Sequence, residues 1–267
     1  MGSEHGETSQ PQTVKEHVGT CRYCGRHCEL RHSHIISRFI CVRLKRMPGS
    51  SPKLFRDDDL RDLVQDGEKR YLLCGECEQE FGNFERAFND QFLTPFYTAR
   101  TFGTRYSEWL PKFCALTLWR TGTALTEDPN AEDRPMEVRD LLTRALGRWL
   151  AFFAGSAPSC FANEMHIIPL GNEPDLAQYA DGVIEYGLPY SDDVKEAFLV
   201  VKLTGLLLVG VLATDSRRRW RGTKVHSREG LFDGTADFGW PEFLHKYLHG
   251  RVKTSQALTT LETPAAP

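Results

Sequence analysis

The chain has 267 residues, 40% of them hydrophobic, and its 33 Lys and Arg against 36 Asp and Glu leave a net charge of −3. That is enough apolar material for one large domain or two modest ones, and the near balance of charge excludes a polycation or an acidic tail protein. Affinity for nucleic acid must therefore come from local charge.

In chain order, residues 1–16 are polar and lack the apolar segment of a signal peptide, so they are expected to form a disordered tail. Residues 17–100 read as one module and 101–253 as a second domain of unknown role, with a Thr-, Ala- and Pro-rich tail over 254–267. Met47 to Arg56 reads as a loop. In Cys77 to Asp90, Phe81, Phe84 and Phe88 recur at three and four residues, which predicts a helix with one apolar face. Trp109, Phe113, Leu116 and Trp119 predict a second helix, and Val138 to Leu150, after Pro135, a third. Phe198 to Leu203 and Leu206 to Ala213 read as two apolar strands joined by a tight Thr204-Gly205 turn. Pro241 to Leu248 reads as a short helix with Pro in its first turn. The most apolar stretch, Phe198 to Ala213, is too short to span a bilayer and contains Lys202, so a soluble, cytoplasmic protein without membrane contact is expected.

Eight cysteines in a reducing compartment are better read as thiols and metal ligands than as a disulfide framework. Two pairs stand out: Cys21-Arg-Tyr-Cys24, followed by Gly25, and Cys74-Gly-Glu-Cys77. Two intervening residues let one tight turn present both sulfurs to a single tetrahedral ion, and two such pairs complete the closed thiolate set of a structural zinc site. Knuckle, hairpin and helix in that order give the layout of a treble-clef finger, in which zinc supplies much of the folding energy. Cys28 is a possible competing ligand; Cys114 and Cys160 read as packed thiols. The expected class is α+β: a zinc-stabilised treble-clef, ββα-metal-like module followed by a mixed α+β body.

Between the knuckles lies Leu30-Arg-His-Ser33-His34-Ile35-Ile36. A histidine followed by two β-branched residues, set between a first knuckle and a second that opens a helix, resembles the HNH (ββα-metal) endonuclease superfamily over about residues 20–90. A closer resemblance is to a group of bacterial proteins that share a Cys-x-x-Cys, a Ser-His-Ile-Ile segment, a Leu-Cys-x-x-Cys-Glu segment and a Leu-Trp-Arg segment. The last is Leu118-Trp119-Arg120 here. The resemblance implies a catalytic pair, His34 as general base and Glu78 as ligand of a catalytic Mg²⁺ or Mn²⁺ ion. Two positions depart from the superfamily: Ser33 stands where an acid or histidine is usual, and Lys69 where the middle Asn is expected. The competing reading makes His34 a packed histidine and Glu78 a favourable charge at a helix start. Glu85, two turns further on, reads as a solvated face, with a second metal ligand as the alternative, and the acidic run Asp57 to Asp59 reads as a solvated loop.

From Cys21 to Arg56 nine Lys or Arg face a single acid, Glu29. That asymmetry suits a phosphate backbone, with Arg31, His32, Arg38, Arg43, Lys45 and Arg46 as the candidate contacts. A second cluster, Arg217 to Arg221 with Trp220, Lys224 and Arg228, offers an aromatic that can stack on a base. The leading expectation is an HNH-like, metal-dependent endonuclease acting on DNA, or on RNA, open to an activating protein partner and, by resemblance, with a place in bacterial defence. The alternative is a catalytically inactive zinc-finger module that binds nucleic acid or protein. A redox role is disfavoured because no thioredoxin-like βαβ pattern surrounds either pair.

Overall fold

The computed structural model describes residues 17–46, 67–98, 103–160, 162–172, 176, 184–215, 222–234 and 240–251. It is an α+β arrangement of helices and antiparallel sheets. The expected tails, the Met47–Arg56 loop, Asp57 to Asp59 and Arg217 to Arg221 lie wholly or almost wholly outside the described residues.

The N-terminal part is a three-stranded sheet, β1 (Val18–Thr20), β2 (His27–His34) and β3 (Lys69–Cys74), with α1 (Arg38–Lys45) after β2 and α2 (Gly75–Phe88) directly after β3. In the β2–β3 ladder Leu30 faces Cys74, His32 faces Tyr71 and His34 faces Lys69. The register slips once: Leu72 has no opposite number, so Leu72 and Leu73 both turn into the core. The helix read from Cys77 to Asp90 starts at Gly75, because the strand leads straight into it at Cys74, and it buries Phe81 and Phe88 as the spacing predicts. Phe81 meets Phe153 edge-on at 4.6 Å, and Phe88 stacks on Phe113 at 3.8 Å.

Past a π-helical turn (Asn89–Leu93), α3 (Thr94–Thr98) and β4 (Thr104–Tyr106) come α4 (Trp109–Thr126) and α5 (Met136–Phe153). α4 is apolar nearly all round, which is the pattern of an enclosed helix. It packs against α2, α5 and the hairpin of β7 (Ala197–Leu203) and β8 (Leu206–Ala213). That hairpin closes at Thr204 and Gly205, both with positive φ, the geometry of a two-residue turn. With β5 (Met165–Pro169) and β6 (Glu185–Gly187) it forms an antiparallel sheet in the order β5-β8-β7-β6, while β9 (Gly230–Phe232) pairs with β4.

Strand alternation divides the apolar load of the hairpin between two clusters. Leu199, Val201 and Leu208 join the main core with α4 and α5, whereas Phe198, Val200, Val209 and Val211 join Leu244 and Leu248 of a last helix, α6, over 242–251. The main cluster runs without a break from Cys21 and Leu30 through Phe81 and Trp149 to Phe232, so module and body share one core. Among the described residues no helix is long and apolar enough to cross a membrane.

Candidate metal centre and the adjoining cleft

The first cysteine pair sits on a turn stitched at both ends: the Cys21 amide donates to the Arg26 carbonyl and the Gly25 amide to that of Cys21, each at 2.9 Å. Gly25 takes φ +74°, a conformation that glycine adopts without strain. The Arg22 amide donates to the Leu72 carbonyl at 2.9 Å, tying this turn to the irregular point of β3. Cys74 ends β3 and caps α2, and Cys77 lies in the first turn of the helix.

These elements bring the sulfurs of Cys21, Cys24, Cys74 and Cys77 within 4.8 Å of one another. Cys24 lies 3.9 Å and Cys77 3.4 Å from Cys74, sulfur to sulfur. Zinc–sulfur bonds of about 2.3 Å in a tetrahedron set sulfur–sulfur edges of roughly 3.8 Å, so the donor set fits an ion of this kind. The four cysteines could therefore hold a metal such as zinc. Two nearby groups donate to these sulfurs. The Cys74 amide donates to the Cys21 sulfur at 3.4 Å, and the Arg26 Nε donates to Cys24 at 3.3 Å. The Arg26 side chain lowers the Cys24 thiol to about 6. Cys28 is not one of the four; its half-buried thiol donates to the Arg26 carbonyl at 3.5 Å. Cys114 and Cys160 are packed in the core, and burial pushes both thiols up.

Beside the cysteines an open cleft runs between the end of β2 and the start of α2. Arg31, His32, Ser33, His34, Gly75, Glu76, Glu78 and Gln79 line it. His34 and Glu78, the two candidate catalytic residues, thus face the same space. His34 is half-buried and its Nε2 lies beneath the water-accessible surface. Ser33 is buried and its hydroxyl donates to the Arg31 carbonyl at 3.3 Å.

Arg120 of α4 reaches this cleft from behind. Only 2% exposed, it bonds Glu85 at 2.7 Å and Glu78 at 3.4 Å, donates to the His34 carbonyl at 3.3 Å, and lies over the Phe81 ring. Glu85 is therefore an inward-facing partner of Arg120, not a solvated residue. Its seven-residue spacing from Glu78, two helical turns, was the signal that both carboxylates share a face. Sequence reasoning gave Arg120 no role, because nothing in residues 17–100 shows which distant cation answers those acids.

The candidate nucleic-acid contacts divide. Arg31, His32, Arg38 and Arg46 are exposed. Arg43 is half-buried, donating to Thr94 Oγ1 at 3.1 Å with its guanidinium over the Tyr97 ring, and Lys45 is half-buried. Lys224 of the second basic cluster pairs with Glu164 at 2.6 Å.

As a divalent-ion site the cleft fits only in part. Glu78 supplies one carboxylate, whose Oε2 faces Arg120, and the Ser33 hydroxyl is engaged with a carbonyl. Among the described residues the tetrathiolate is the single cluster of three or more ligating side chains. Comparison with protein families, with curated proteins and with solved structures finds no match.

Proposed function

We propose that the chain is an HNH-like endonuclease that hydrolyses phosphodiester bonds in nucleic acid, built on a zinc-held, treble-clef ββα module. The observation that carries this reading is the juxtaposition of His34 and Glu78 in one open cleft, with the cysteine cluster fastening strand to helix. Zinc, bound by Cys21, Cys24, Cys74 and Cys77, supplies structure and no chemistry. His34 accepts the proton of the attacking water through an imidazole nitrogen. Arg31, exposed at the rim, holds the phosphate backbone as a charged donor. Arg120 fixes the Glu78 carboxylate and the backbone at His34 from the buried side. Because the cleft fits a divalent ion only in part, no step is assigned to Mg²⁺ or Mn²⁺.

A second reading has its own observation. The Arg120 guanidinium beside Glu78 neutralises the carboxylate that a divalent ion would use, which favours a zinc-finger module that binds nucleic acid and leaves it intact. One experiment separates the two: plasmid DNA with the zinc-loaded protein in Mg²⁺ or Mn²⁺, beside His34→Ala of equal zinc content. Nicking by the parent alone supports hydrolysis. Retarded migration of DNA with both proteins, and no cleavage by either, assigns the binding module.

A further inference from the structure

On the outer face of the hairpin three rings stand in one column. Tyr71 of β3 lies between His17, just before β1, and His32 of β2; the centroid distances are 4.1 and 4.8 Å, with interplanar angles of 18° and 20°. The fold sets the column directly. His32 is paired with Tyr71 in the ladder, and the Leu30 amide, donating to the His17 carbonyl at 2.8 Å, brings the chain before β1 alongside. All three rings are exposed, Tyr71 at 40%, although large aromatic side chains gain most from burial. His32 also lines the cleft that holds His34 and Glu78, so the column ends at the candidate reaction site. Arg31, its neighbour in sequence, lines the same cleft with its side chain over Gly75. Along the sequence, residues 21–46 carry seven Lys or Arg and one acid, Glu29; Arg22 and Arg26 pair with Glu127 and Glu76, which leaves exposed Arg31, beside Glu29, as the cation next to the column.

Parallel aromatic faces beside an exposed arginine are the elements of a stacking platform, which accepts bases by their π-faces regardless of sequence. In a duplex both faces of every interior base are covered by its neighbours, so away from a duplex end such a column can be extended only by an unpaired base. We infer that the His17–Tyr71–His32 column binds an unpaired nucleotide of single-stranded or locally melted nucleic acid and delivers the adjoining phosphate to the cleft. This rests on the reading of the cleft as a nucleic-acid site, and it narrows the substrate from nucleic acid in general to strands with accessible bases.

The test is fluorescence anisotropy of full-length, zinc-loaded protein, without added divalent ion, on a labelled oligodeoxynucleotide as a single strand and as a blunt duplex. Tyr71→Phe keeps the ring and Tyr71→Ala removes it; zinc content and thermal midpoint are matched across the set. The expectation is tighter binding of the single strand, weakened about tenfold by Tyr71→Ala and restored by Tyr71→Phe, with the duplex little affected. Photocross-linking of a 5-iodouridine strand should map to His17, His32 or Tyr71. Equal affinity for both forms, an equal loss on both in Tyr71→Ala, or no binding of either overturns the inference, the last giving the surface to a protein partner. Failure here and failure of the hydrolase reading look different. Plasmid nicking without single-strand preference keeps hydrolysis and removes the column; single-strand binding by parent and His34→Ala alike, with no cleavage, does the reverse.

Discussion

Arg120, 2% exposed on α4, meets Glu85 of α2 at 2.7 Å and so joins the cysteine-bearing module to the rest of the chain through a buried ion pair. Removing one partner of such a pair leaves an uncompensated charge in a poorly solvated place. Arg120→Ala is expected to destabilise the protein by about 3–5 kcal/mol in denaturant titration. Adding Glu85→Gln should recover part of that loss, because the stranded charge is then gone. A loss under 1 kcal/mol would mean that Glu78 and Glu85 are solvated without Arg120.

Metal analysis of the purified protein should give one zinc per chain, falling to none in Cys21→Ser or Cys77→Ser. Structural zinc binding contributes about 10–16 kcal/mol in small finger peptides, against a total stability of roughly 5–15 kcal/mol for a typical domain. Chelation should therefore unfold at least the hairpin and α2, read as lost helical signal and a lower thermal midpoint. Retention of both after complete zinc removal would show that the shared core alone holds the module.

Gly210 lies on β8 where a Cβ would come within 2.5 Å of the Trp149 ring, itself fully buried. A rigid indole at the centre of the core cannot withdraw, so Gly210→Ala should cost about 1–3 kcal/mol through overpacking. Adding Trp149→Phe should relieve part of that strain.

The Glu164 carboxyl is held at about 2 by the His166 ring beside it and by the Lys224 ammonium 2.6 Å away, against a burial effect that pushes it up. Its folded value is below the ordinary glutamate value of about 4.3. The folded state therefore binds this proton less readily than the unfolded chain. The stabilisation is complete above roughly pH 5 and is lost as pH falls toward 2. Thermal midpoints between pH 6 and 3 should drop less in Glu164→Gln than in the parent. Metal release acts on both proteins alike, so the difference between the two curves is the measurement, and parallel curves would sink it.

Much of the fold was legible in the residues themselves. The Phe81–Phe84–Phe88 spacing is local, and so is the Thr204-Gly205 break between two apolar runs; both are fixed by backbone periodicity and turn sterics that act over a few residues. The pairing of Cys21 and Cys24 with Cys74 and Cys77 was legible too, since two-residue spacing is a property of the knuckle and not of the fold around it. The start of α2 at Gly75, before the predicted Cys77, was missed because the β3 pairing carries the chain directly into the helix.

What sequence alone determined, then, is which four cysteines cluster, because that rests on residue type at short spacing, whereas the candidacy of His34 and Glu78 came from the resemblance to HNH enzymes. Only the tertiary structure decided that the two share a cleft, that Arg120 answers Glu78 and Glu85 from thirty-five and more residues away, and that Tyr71 stands between two histidines. The reason is physical: charge pairing and ring stacking act through space, and partners distant along the chain are chosen by packing of the core, which no local pattern encodes.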